Sequence, residues 1–154
     1  MARILEIDHL WREARVLLGN TRYSAPRDNK VVCPSKDWFI DEFIPKLDEI
    51  TKPYVVNTYD CEDFCAQAQL LMTQCILANP EFHGCGHSLE YVEITIPPGQ
   101  QLATVQDGIH ATCLIRFDNG EWWFFEPQPV ALADRLNNPE EAFARGINPR
   151  EARL

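Results

Sequence analysis

The sequence predicts an α+β fold, and three observations carry that expectation. Residues 61–77 are rich in good helix formers and contain neither Gly nor Pro, so one long helix should form there. Residues 109–125 hold two β-prone runs about Asp118-Asn119-Gly120, the pattern of a β-hairpin. With 154 residues and 45% hydrophobic content, the chain is long enough for one real core and too short for two. A single domain follows, in which the central helix packs on an antiparallel sheet. Residues 1–52 form its helical N-terminal part, 53–128 the core that carries the chemistry, and 129–154 a C-terminal helical segment.

Taken in order, Ile4, Ile7, Leu10, Trp11, Ala14, Leu17 and Leu18 recur at helical spacing, with Gly19-Asn20 as a stop. A polar stretch follows over residues 20–30. Ser35 is placed to cap a second helix carrying Trp38, Phe39, Phe43, Ile44 and Leu47, which Pro45 should break or kink. Tyr54-Val55-Val56 is β-prone and gives a short extended run into the long helix. Beyond that helix, Cys75, His83, Cys85 and His87 offer zinc-type donors, but their close alternation lacks the spacing of a finger or ribbon, and a loop is expected. Residues 88–96 read as a strand and Pro97-Pro98-Gly99-Gln100 as a turn. Residues 130–136 and 139–145 are short helix candidates, the second with Asn138 as cap, Pro139 at its first position and Gly146 as stop. Residues 148–154 should fray unless docked, and no chemistry is read in this C-terminal part.

Charge narrows the function classes. With 14 Lys plus Arg against 23 Asp plus Glu, the formal net charge of -9 argues against affinity for phosphate backbones or anionic lipid surfaces. The first residues mix acids and bases among apolar side chains, unlike a secretory signal, and no later run is apolar enough to span a bilayer. A cytoplasmic protein is expected. Its 6 cysteines are then free thiols rather than a disulfide framework.

Each thiol needs its own account, and Cys61 has the most informative surroundings. Tyr59-Asp60-Cys61-Glu62-Asp63-Phe64 sets it in the first turn of the long helix, with Asp60 as N-cap and Asp63 three residues on. Orphan N–H groups and the positive end of the helix dipole favour a thiolate there, whereas the flanking carboxylates oppose it, so the motif demands a positive partner. Cys65, one turn further, continues a stripe with Ala68, Met72 and Cys75 or Ile76, and reads as core. The hairpin supplies the partner. A two-residue Asn119-Gly120 turn would put His110 and Glu126 on opposite faces. A three-residue Asp118-Asn119-Gly120 turn, with Gly120 left-handed, pairs Phe117 with Glu121, Thr112 with Glu126 and His110 with Gln128. His110, Glu126 and Gln128 then share a face, while Ile109, Ala111, Cys113, Ile115, Phe117, Trp123 and Phe125 gather on the other, which makes this register the favoured one.

Asp60-Cys61-Glu62-Asp63-Phe64, His110-Ala111 and Glu126-Pro127-Gln128 together resemble the pattern of the papain-like domain at the C-terminus of fungal chimerolectin agglutinins, and of similar stand-alone bacterial and phage proteins. The resemblance covers residues 54–128; Ile109 stands where the family has glycine, Cys65 where a small residue is common, and a lectin module is absent from the sequence. It implies a papain-like fold with Cys61 as nucleophile, His110 as base and Glu126 as orienter, a cysteine peptidase or amidase acting on a protein or peptide substrate. Gln128 is placed to support His110 or to donate to the oxyanion with the Cys61 N–H. The resemblance also implies calcium dependence, with acidic residues near the cysteine among the ligands. Ca²⁺ independently prefers several oxygen ligands, and Asp60, Glu62 and Asp63 supply carboxylates beside the site; the alternative is that Asp60 and Asp63 cap the helix while Glu62 faces water. The rival function is a catalytically inactive binding or structural protein of the same fold, such as a phage or virion accessory component.

Overall fold

The computed structural model describes residues 2–19, 22–23, 29–56 and 60–153. Most of the polar 20–30 stretch, and Tyr59 of the cysteine motif, lie outside the described residues. The N-terminal half comprises β1 (Arg3–Glu6), α1 (Ile7–Leu18), β2 (Arg22–Tyr23), β3 (Lys30–Cys33), α2 (Lys36–Trp38), a π-helical turn (Phe39–Phe43), α3 (Ile44–Ile50) and α4 (Cys61–Leu77). After a 3-10 turn (Pro80–Phe82) come β4 (Gly86–His87), β5 (Leu89–Leu102), β6 (Val105–Arg116), β7 (Trp122–Phe125), α5 (Leu132–Arg135), β8 (Leu136–Asn137), α6 (Pro139–Ala144) and β9 (Asn148–Arg153). Among the described residues, β1-β3-β4 form one sheet and β2-β9-β5-β6-β7-β8 a larger one, so the α+β expectation stands.

Both faces of the larger sheet are covered. Tyr91, Ala111, Cys113, Ile115 and Phe125 project to one side and meet Cys65, Ala68 and Met72 of α4 together with Phe39, Phe43 and Leu47 from the α2–α3 segment. Val92, Ile94, Leu114 and Phe124 project to the other side and pack with Leu18 of α1 and Ala142 of α6. Strand alternation thus assigns neighbouring residues to two separate cores. Cys65 and Cys113 are both fully buried, as their positions in the pattern require.

Several local expectations change once distant partners are present. The helix expected from residue 4 begins at Ile7, because Arg3–Glu6 pairs antiparallel with β3 and tucks Leu5 into a small core with Leu10, Val31 and Cys33. Pro45 neither breaks nor ends its helix. Ser35 Oγ accepts the Trp38 N–H as predicted, and the π-helical turn just before Pro45, closed by the Ile44 N–H on the Phe39 carbonyl, absorbs the missing donor. The turn expected at residues 97–100 is instead an irregularity inside β5, which resumes pairing with β6 at Gln101. Residues 148–153 do not fray: β9 adds to the open edge of β5, from Thr95↔Asn148 to Tyr91↔Arg153, and buries Ala152. Ile109, expected on the covered apolar face, is 61% exposed.

Because Cys65 is enclosed and away from the orphan N–H groups of its helix, burial raises the proton affinity of its thiol. Cys65→Ala should therefore act on packing alone, lowering unfolding stability by about 1 kcal/mol in urea titrations while leaving the reactivity of Cys61 unchanged.

Candidate active site

Cys61 is the first residue of α4, and the local sequence puts it there. Asp60 and Asp63 form a capping box in which the Asp60 N–H donates to Asp63 Oδ2 at 3.0 Å, and the Phe64 N–H closes the first turn on the Asp60 carbonyl at 3.0 Å. The Cys61 side chain is only half-buried, in contrast with Cys65 one turn below it. It packs against the core to which Ala111 and Cys113 of β6 contribute.

The hairpin has the three-residue turn. The Phe117 N–H donates to the Glu121 carbonyl at 2.9 Å, the Gly120 N–H returns to the Phe117 carbonyl at 3.1 Å, and Gly120 takes a φ of 92°, as a left-handed turn residue must. Cys113↔Phe125 and Arg116↔Trp122 continue that register. One residue beyond the paired strand, Glu126 Oε2 lies 2.7 Å from His110 Nε2, with the two residues 2% and 3% exposed. The Cys61 sulfur is near enough to the ring to interact with it electrostatically. Burial alone would drive His110 toward its neutral form; the hydrogen bonds to Cys61 and Glu126 and their negative charge outweigh it and raise the His110 pKa to about 9. The raised His110 pKa favours the charged ring, the kind of partner that the cysteine motif calls for.

Gln128 enters through its backbone. Its N–H donates to Glu126 Oε1 at 3.2 Å, so it holds the carboxylate rather than His110, and the expected side-chain contact with the imidazole is replaced by this indirect one. Arg135 was not singled out by the sequence. Only 1% exposed, it donates from Nε to the Glu126 carbonyl at 3.1 Å and from Nη2 to the Pro127 carbonyl at 3.1 Å, while Nη1 meets both oxygens of Asp48 at 2.7 and 2.8 Å. The partner Asp48 lies 87 positions away, which is why no local pattern signals the contact.

The acidic residues beside Cys61 do not converge. Asp60 and Asp63 are turned onto the helix start and Glu62 is exposed, the capping alternative weighed above. Among the described residues, no group of three or more His, Cys, Asp or Glu side chains comes together to hold a metal ion, and this includes Cys75, His83, Cys85 and His87. His83 instead bonds the Leu77 carbonyl and His87 enters β4 beside Val32. A cavity of about 520 Å³ between α4 and the α2 start, lined by Trp38, Met72, Cys75 and Phe82, contains none of the residues around Cys61. No described helix is long and apolar enough to cross a membrane.

No family model and no curated protein matches the chain. Solved structures do. One, described as the PSL1a-E64 complex, matches with a TM-score of 0.72 at 13% identity over 98% of this chain and 51% of that one. Another, a Polyporus squamosus lectin bound to the human-type influenza-binding epitope Neu5Aca2-6Galb1-4GlcNAc, matches with a TM-score of 0.69 at 13% identity over 98% of this chain and 49% of that one. At this identity the likeness establishes fold alone, and the chain spans about half the length of the structures it matches. Two expectations are corrected. The second of these structures is named a lectin and no family model matches, so assignment to a papain-like cysteine protease family, with its protease and phage vocabulary, is withdrawn. The ligand in its description is a glycan, so the expected protein or peptide partner is withdrawn as well.

The His110 geometry fixes a pH dependence. A histidine whose folded pKa lies above its unfolded value of about 6.5 stabilises the fold fully below that value, and the contribution disappears as pH rises through the folded pKa. From about pH 6.5 to pH 9, thermal and urea unfolding should therefore report a loss of about 3 kcal/mol that is largely absent in Glu126→Gln. The ring carbon resonances of His110 should titrate near pH 9 in the same range.

Proposed function

We propose that this chain carries a cysteine nucleophile for acyl transfer, with Cys61 attacking, His110 moving the proton and Glu126 orienting the ring. The observation that supports this most directly is the buried imidazole bonded to the Glu126 carboxylate and lying within electrostatic reach of Cys61. The Cys61 thiolate adds to an amide acyl carbon, forming the S–C bond and a tetrahedral oxyanion, to which the Cys61 backbone N–H donates in this reading. As the intermediate collapses, the C–N bond breaks and His110 gives its proton to the departing nitrogen. Water then attacks the thioester, His110 takes one of its protons, and the thiolate leaves. Glu126, desolvated and bonded to Nε2, keeps the ring in the orientation both proton transfers need.

A second reading has its own support. A binding protein of this fold without turnover accords with the lectin name and the glycan ligand of one similar structure. The two readings part at Cys61, since a glycan site has no need of an ionised sulfur.

Iodoacetamide at pH 6–7 should modify Cys61 at least about tenfold faster than the other cysteines, and His110→Ala should remove that advantage. E64, the compound named with PSL1a, should add covalently to Cys61 and to no other residue, as read by peptide mass. Cys61 reacting no faster than Cys75 would sink the nucleophile reading. In that event Neu5Aca2-6Galb1-4GlcNAc, titrated by calorimetry, should bind the parent and Cys61→Ala equally. Added calcium should leave the alkylation rate and the melting temperature unchanged, in keeping with the capping roles of Asp60 and Asp63; a rise in both would make them ligands.

A further inference from the structure

Glu126 can orient His110 only if something orients Glu126, and β7 does not do it. That strand ends at Phe125, so Glu126 has left the ladder with β6, and its carboxylate is aimed from a segment that continues through Pro127 into a loop. A short connection of this kind, placed under a side chain that must hit one nitrogen at 2.7 Å, needs its backbone fixed from outside the strand.

Arg135 does the fixing from both sides. The Glu126 N–H donates to the Arg135 carbonyl at 2.8 Å, and the Glu126 carbonyl accepts from Arg135 Nε at 3.1 Å, so one residue occupies both backbone groups of Glu126. Nη2 takes the next carbonyl, that of Pro127, at 3.1 Å. The guanidinium stands 5.4 Å over the Phe125 ring, which fixes its plane, and Nη1 is tied to both oxygens of Asp48 on α3. Buried to 1% exposure, this cation has Asp48 as its ion-pair partner among the described residues and gives donors on Nε and Nη2 to the carbonyls of Glu126 and Pro127. A planar fork spreads donors from three nitrogens in set directions toward separated partners; an ammonium offers three donors from a single point and does not span them.

We infer that Arg135, anchored by Asp48, is a positioning residue of the proposed site, setting the Glu126 carboxylate on His110 Nε2 through the Glu126-Pro127 backbone. Arg135 touches no reacting atom, and the inference rests on the reading of Cys61, His110 and Glu126 given above. It separates Arg135 from the other buried arginine pair of the fold. Arg116, which Glu13 of α1 holds, also donates to a backbone carbonyl, that of Phe117, but at the far end of the hairpin.

The test compares Arg135→Lys and Asp48→Asn with Glu126→Gln and, as a structural control, Glu13→Gln, by NMR titration of the His110 ring alongside melting temperature. The ring titration does not require Cys61 to react, so loss of Cys61 reactivity and loss of positioning are read separately. Arg135→Lys and Asp48→Asn should lower the His110 midpoint by roughly one pH unit or more, toward that of Glu126→Gln. Glu13→Gln should lower the melting temperature and leave the midpoint where it is. If Arg135→Lys does not fold, the exposed and milder Asp48→Asn substitution carries the test. A folded Asp48→Asn or Arg135→Lys protein with the parent's His110 midpoint overturns the inference, and so does an equal shift in Glu13→Gln.

Discussion

The contact between His110 and Glu126 is the constraint around which this structure is arranged. Both residues are almost wholly removed from water, and a buried ionisable pair is tolerated only when geometry and further hydrogen bonds compensate the lost hydration. The compensation is visible on every side. Gln128 donates its N–H to the second carboxylate oxygen, Cys61 interacts electrostatically with the ring, and Arg135 fixes the backbone that carries the acid. Loss of any one of these leaves a buried charge or donor without its partner, a more expensive state than a wholly apolar site.

The two cores on either side of the sheet explain how such a pair is kept in register. Alternate residues of β6 feed α4 on one face and α1 and α6 on the other, so a slip of one position would exchange the contents of both cores. Two buried arginines then fasten helices to the sheet. Arg116 receives Glu13 of α1, which also accepts from Trp122 Nε1, and Arg135 receives Asp48 of α3. Glu13 shows the balance involved: its partial burial favours the neutral acid, but the hydrogen bond and charge of Arg116 prevail and hold it ionised.

Fold and chemistry carry different information here. The likeness to solved structures at 13% identity concerns the path of the chain, and one description it carries is that of a lectin. The residues around Cys61 speak to chemistry instead: a half-exposed sulfur at a helix start, beside an imidazole whose Nε2 is held by a desolvated carboxylate. A scaffold of this kind accommodates turnover or binding alone, and the site residues, not the architecture, separate the two.

What the sequence by itself determined is whatever is encoded within a few residues. Asp60 and Asp63 cap a helix three positions apart, so α4 starts at Cys61 and Cys65 falls one turn inside the core. Gly120 permits the left-handed turn, and with the turn come the register of β6 and β7 and the meeting of His110 with Glu126. Tertiary structure decided everything that waits on a distant partner. The helical spacing was read from Ile4, but Arg3–Glu6 became a strand because β3 offered a ladder, and Asn148–Arg153 became β9 because β5 had an open edge. The aim of Glu126 likewise depends on Arg135 and Asp48, which meet across 87 positions. Backbone hydrogen bonds and buried charges take their partners from the folded chain, and a linear pattern records such a partner only when it is also a neighbour in sequence.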